Sequence, residues 1–275
     1  MWMGPQLSKF NVKQVVSSQL LKNVSSLILV IAHPDDEVMF FAPTLLQMDF
    51  LLPNNVPIEV VCLSKGVDVD GSDAGETRAS ELKDSVALLL NSKRAGANRV
   101  VRVHQLDYQD GMDQIWDTEA IVQDLENILF AESSKSSDFK RILLSFDSHG
   151  VSNHPNHIAC HEAVKSLFER YSNKIVAVFL NSHHSNGILK YSSFILGLIK
   201  CTINWINNDI LKRTPLLPFS LDHTKYISLF NTYPQYILSF ASMINSHQSQ
   251  MVWFRYGWWS FSRFVYINDL EIMNA

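Results

Sequence analysis

Five short, predominantly apolar runs, at 27–31, 58–63, 100–103, 142–146 and 175–180, constrain this chain more than any other feature; Glu59, Arg102 and Ser145 are their only polar residues. Each has the length of a strand and lacks the in–out alternation of a strand with one wet face. Each is therefore expected to be covered on both sides. Between them lie stretches of helical period, at 43–52, 76–91, 118–131 and 155–171. Pro43 and Pro155 suit first helical turns, where a missing N–H leaves no bond unmade. Strands and helices in alternation call for a mostly parallel sheet joined by right-handed crossovers, an α/β, Rossmann-like layered fold.

Beyond residue 180 the pattern changes. "YSSFILGLIKCTINWINNDILKR" (191–213) is apolar with scattered polar residues, and a helical pattern at 232–245 leads into "SHQSQMVWFRYGWWSFSRFVYIN". The division expected is an N-terminal extension (1–25), an α/β core (26–190) and a C-terminal apolar helical and aromatic extension (191–275) that completes the domain and contacts a membrane. Residues 151–275 carry 10 Lys+Arg against 6 Asp+Glu, whereas residues 1–150 carry 13 against 21, a balance that fits a C-terminal half facing an anionic surface. The start shows no apolar core of signal-peptide length, and no stretch is long and apolar enough to span a bilayer. Three cysteines without short spacing argue against a disulfide framework and a cysteine zinc site.

Chemistry concentrates in two places. "HPDDE" (33–37) follows the first strand directly, and "FDSHGVSNHPNHIACH" (146–161) begins at the end of the fourth. Ligands of open α/β sheets bind at the carboxyl ends of strands, so the two clusters are expected to converge. Three carboxylates beside an imidazole resist burial unless a positive charge holds them together. A divalent cation with His and Asp ligands and an open position answers that need.

With "CLSKG", "GETRASEL", "DYQDGMD", "SNHPNH" and the "SHQSQMVWFRYGWW" stretch, in this order from about residue 27 to 270, the chain resembles the N-acetylglucosaminyl-phosphatidylinositol de-N-acetylase family, in particular its fungal members. The resemblance implies zinc, or another divalent cation, held by His33, Asp36 and His157. It makes Asp35 the general base and His154 the group that stabilises the oxyanion and assists the leaving amine. It implies substrate recognition by Arg78, through the inositol phosphate, and by Asp107 and Asp110, through sugar hydroxyls. Glu37 is expected to orient a ligand from behind. His161 pairs with His157 at helical spacing but has no part in the family motif, and His183, His184 and His247 read equally as cleft or surface groups. "DVDGSD" (68–73) lacks the final Glu of a calcium loop and reads as a solvated turn. Two positions depart from the bacterial relatives: Asn156 stands where they often have Asp, and Ser152 where they tend to have Tyr.

The activity implied is removal of acetate from N-acetylglucosaminyl-phosphatidylinositol (GlcNAc-PI), the second step of glycosylphosphatidylinositol (GPI) anchor synthesis, on the cytoplasmic face of the endoplasmic reticulum. Many members carry an N-terminal spanning helix that is not evident here, so attachment is expected through 194–206 and 253–264. The alternatives are a soluble deacetylase of another N-acetylamino sugar, which calls for a polar C-terminal third, and a non-catalytic sugar-binding protein, which has no use for a base beside a metal.

Overall fold

β1 (Val24–Ile31) lies inside a seven-stranded sheet of order β3-β2-β1-β4-β5-β7-β6. The structure is a computed structural model and describes residues 3–66, 75–90, 99–130, 139–182 and 225–273, with isolated positions 199, 202, 203 and 206. The expectations for 68–73, for His183 and His184, and for nearly all of 194–206 fall outside the described residues.

β2 (Ile58–Ser64), β3 (Val101–Tyr108), β4 (Lys140–Phe146) and β5 (Ile175–Leu180) run parallel to β1. β1 pairs on one side with β2 (Leu27 opposite Ile58) and on the other with β4 (Leu27 opposite Ile142). After β3 the chain crosses back to β4, so strand order reverses at the β1–β4 boundary. The crevice beyond their carboxyl ends is where such sheets bind ligands. Helices cover the faces: α2 (Asp36–Met39), α3 (Ala42–Leu51), α4 (Gly75–Leu90), α5 (Thr118–Phe130), the kinked turn α6 (Gly150–Asn153) and α7 (Pro155–Arg170). Strand residues Leu29, Val30, Val60, Val61, Leu143 and Ala177 have no exposed surface, which is why their sequences carry no polar alternation.

The C-terminal segment holds helical and aromatic elements as expected and adds two strands that the sequence did not signal. β6 (Tyr226–Phe230) and β7 (Ile267–Met273) add an antiparallel edge, with Leu180 of β5 opposite Leu270 and Phe230 opposite Ile267. β7 was hidden by its polar residues. Asn268 is fully buried, donating to Phe40 O (2.8 Å) and accepting from Thr44 Oγ1 (2.7 Å). The N-terminal helix α1 (Met3–Ser18) packs on β6, where Asn11 donates to Phe230 O (2.8 Å) and accepts from Phe230 N–H (3.0 Å). One amide thus satisfies backbone groups that an edge strand would otherwise offer to another chain.

α8 (Tyr233–Ser246) and α9 (Trp253–Phe261) follow β6. On α9, Trp259 is buried, whereas Trp253 and Phe261 are 84% and 68% exposed. One face of that aromatic stretch is therefore core and the other is open. No helix among the described residues is long and apolar enough to cross a membrane.

Candidate active site

At the end of β1 the chain turns sharply through His33 to Asp36. The turn is closed by the Asp36 carboxylate, whose Oδ2 accepts the N–H groups of His33 (2.8 Å) and Ala32 (3.2 Å). Its Oδ1 is left to face His157 Nε2 at 3.3 Å. His157 comes from the first turn of α7, which starts at Pro155 with His154 as its N-cap. His157 Nδ1–H donates to Gly150 O (3.1 Å), so its lone pair sits on Nε2, 3.2 Å from His33 Nδ1. On the other edge of the His33 ring, Nε2 meets Asp110 Oδ1 (3.0 Å) and Asn156 Oδ1 (3.1 Å), both acceptors, so that nitrogen carries the hydrogen. Two lone pairs and a carboxylate oxygen therefore converge in a buried triplet that could hold a divalent cation, each group oriented from behind.

The charges fit this arrangement. Burial opposes ionisation of Asp36, but the charge and hydrogen bond of His157, and then His33, hold it well below the usual carboxylate range. Burial also works against a charged His33, yet the Asp110 hydrogen bond and the charges of Asp36 and Asp110 raise its pKa to about 9. The position between the ligands thus attracts positive charge, and a cation binding there displaces a proton. His154 behaves oppositely: burial, then His33 and His157, push it down to about 4. Its Nδ1 accepts Asn156 N–H (3.3 Å), leaving Nε2–H as the free donor of a neutral ring.

Three left-handed positions shape the turn before α7: Gly150 (φ 52°), Val151 (φ 63°) and Asn153 (φ 59°). A Cβ on Gly150 would stand 2.8 Å from His157 Cβ, so only glycine lets this turn touch His157. Asp35 is also held out of ordinary conformations (φ 127°, ψ −20°). Its N–H donates to Glu37 Oε2 (3.1 Å), while Glu37 Oε1 takes His247 Nε2 (2.6 Å) and Ser85 Oγ (2.5 Å). Glu37 and His247 have no exposed surface. Glu37 therefore braces the peptide of Asp35 rather than a ligand, and His247 is neither a cleft nor a surface group.

The other candidates are distributed as follows. Asp107 lies on β3, which runs five residues past the apolar pattern; it pairs with Lys65 (3.1 Å) and is largely exposed, away from the cluster. Asp110 reaches His33. The Asn156 side chain also faces His33, and its Nδ2 donates to Gln114 O (3.2 Å), so only its backbone meets His154. His161 donates through Nδ1 to Phe146 O (3.0 Å) and takes no part. Ser152 is exposed in the kinked turn. Arg78 is buried, with Nη2 donating to Pro34 O (2.7 Å) and Gln250 Oε1 (2.8 Å) and lying 4.0 Å from Asp35 Oδ2. It braces the turn before Asp35. A cation that the sequence did not point to, Arg255 of α9, sits closer, with Nη2 2.8 Å from Asp35 Oδ2.

The family profile described as PIG-L, GlcNAc-PI de-N-acetylase, matches residues 28–168. The N-acetylglucosaminyl-phosphatidylinositol de-N-acetylase of Saccharomyces cerevisiae is 43% identical over 256 residues, which cover 89% of this chain and 80% of that protein. A probable enzyme of the same description from Schizosaccharomyces pombe is 30% identical over 249 residues, 90% of this chain and 87% of its own. Among solved structures, an N,N'-diacetylchitobiose deacetylase from Pyrococcus horikoshii shares the fold, with a TM-score of 0.53 and 18% identity. The match covers 98% of this chain and 90% of that one.

Proposed function

Because the chain belongs to the PIG-L family of GlcNAc-PI de-N-acetylases, we propose that His33, Asp36 and His157 hold the divalent cation with which it hydrolyses its amide substrate. The reaction is the de-N-acetylation step of GPI-anchor synthesis: GlcNAc-PI and water give glucosaminyl-phosphatidylinositol and acetate. The observation that carries the residue assignment is the facing pair of His33 Nδ1 and His157 Nε2 with Asp36 Oδ1 beside them. Two imidazoles and a carboxylate suit Zn²⁺. A cation of that kind polarises a carbonyl and lowers the pKa of a water towards ~7.

Asp35 stands next to a ligand but outside the triplet, and it takes the proton of the attacking water. The neutral His154 ring donates from Nε2–H to the carbonyl oxygen as negative charge develops there, a contact that strengthens in the transition state. From the same position it assists the departure of the amine, which needs one proton to leave. Asp35, which holds the water's proton, returns it. Asp110 and Asn156 hold the His33 ring in orientation. The test is acetate release from GlcNAc-PI by the purified chain, abolished by chelation, restored by Zn²⁺ and absent in His157→Ala. Full activity in protein shown by elemental analysis to be metal-free would overturn the assignment.

The reading extends to attachment at the cytoplasmic face of the endoplasmic reticulum, where a lipid substrate would be met. The open face of α9, with Trp253, Phe254, Tyr256 and Phe261, supports it, because Trp and Tyr favour the water–lipid interface. The same face disfavours a deacetylase of soluble amino sugars. The chain is expected to co-sediment with phosphatidylinositol-containing vesicles, less so as salt rises. Trp253→Glu with Phe261→Glu should release it with an unchanged circular dichroism spectrum. Wild-type protein that ignores vesicles would sink this part of the reading and leave the chemistry standing.

A further inference from the structure

We propose that Arg255 reads the phosphodiester of the substrate, so that selectivity for a phosphoinositide-linked amino sugar resides in α9. The inference rests on the function proposed above and assigns recognition within that same site. Arg255 places Nη2 on Asp35 Oδ2 at 2.8 Å, and its Nη1 lies against Met39 Sδ. A thioether is a weak acceptor, and a guanidinium offers five N–H donors in a fixed fork, so among the described residues most of this donor capacity is unspent. The side chain keeps 20% of its surface exposed. Arg78, the other arginine near the base, is only 7% exposed, and its Nη2 is engaged by Pro34 O and Gln250 Oε1. An anion entering the crevice meets Arg255 first, and turning Arg78 towards it would undo the turn that precedes Asp35.

The order of groups in the protein follows the order in the substrate. Asp35, next to Asp36 of the donor triplet, meets Arg255, and Arg255 shares α9 with the exposed aromatic face. From the reacting end outwards, the substrate presents its acetamide, sugar and inositol, phosphodiester and acyl chains. The cation therefore rides on the same helix as the lipid-facing aromatics, where a headgroup phosphodiester would lie. A guanidinium suits that group because it grips two oxygens at once. Exchanging its Asp35 partner for the phosphodiester also frees Asp35 Oδ2 to meet the attacking water.

The experiment compares two water-soluble substrates, a short-chain GlcNAc-PI and phosphate-free N-acetylglucosaminyl-inositol, by kcat/KM in the metal-loaded full chain. Wild type is expected to prefer the phosphodiester, and Arg255→Gln to reduce that preference ~10–100-fold, the range for a hydrogen bond to a charged group. Arg255→Lys, which keeps the charge without the fork, should fall between them. Arg78→Gln should lower both substrates by the same factor, as a brace of the Asp35 turn would. Equal losses on both substrates in Arg255→Gln, an unchanged preference, or a preference that collapses in Arg78→Gln instead would each overturn the proposal. Acetate released from neither substrate by wild type would overturn the function on which it rests, a result distinct from all of these.

Discussion

Asn in place of Asp35 is expected to keep its metal and to lose ~10²–10⁴-fold in turnover, the usual contribution of a positioned base. The amide matches the carboxylate in shape, its oxygen can still accept from Arg255, and Asn tolerates positive φ as readily as Asp. Folding and the donor triplet should therefore survive, because Asp35 is not among the three groups that converge. Asp36→Ala should behave differently. It removes the Oδ1 that faces His157 and the Oδ2 that accepts the N–H groups of Ala32 and His33, so metal and activity should go together. Elemental analysis beside acetate release separates the two cases. A metal-free Asp35→Asn protein together with a metal-replete Asp36→Ala protein would mean that the roles are reversed.

His247→Ala should cost about 3–5 kcal/mol of stability, since it leaves Glu37 as an unpaired, buried carboxylate. Thermal unfolding should fall by roughly 2–4 °C for each kcal/mol lost. Turnover should fall as well, because Glu37 is what holds the Asp35 N–H in its unusual conformation. Burial lowers the pKa of His247, but the charge and hydrogen bond of Glu37 outweigh it and the net direction is upward. The folded state thus holds this proton more tightly than the unfolded chain does. The contribution of the pair is complete below pH ~6.5 and is lost as pH rises through the folded-state pKa. Stability measured against pH should show that loss in wild type and not in His247→Ala. Identical pH profiles would remove the charged histidine from the account.

The central strands were legible because parallel strands are buried on both faces and so read as nearly unbroken apolar runs. β3 was cut short in that reading because every residue in it is at least partly exposed, and His104 and Gln105 interrupt the pattern without ending the strand. β6 and β7 escaped for a related reason: Asn268 is buried yet fully hydrogen-bonded, a state that composition cannot tell from a loop residue. In the site, the His and Asp groups that face one another were visible as local clusters. Their supports were not. Gly150 had a signal of its own, a glycine before a histidine-rich helix, but its need for φ 52° and its approach to His157 emerge only from the turn. Arg255 and His247 both lie in the "SHQSQMVWFRYGWW" stretch that carries part of the resemblance, but nothing there hints that they pair with Asp35 and Glu37.

Glu37 and His247 stand 210 residues apart. At the roughly 5–20 residues per second of protein synthesis, that separation is about 10–40 s of waiting on the ribosome. During that time β1 and its acidic loop have left the translation machinery, while the segment that neutralises Glu37 has yet to be made. The nascent loop must therefore stay hydrated, and Glu37 meets its partner only once that segment has arrived. A chain ending just before residue 247 would hold His33, Asp36 and His157 yet leave Glu37 without its histidine.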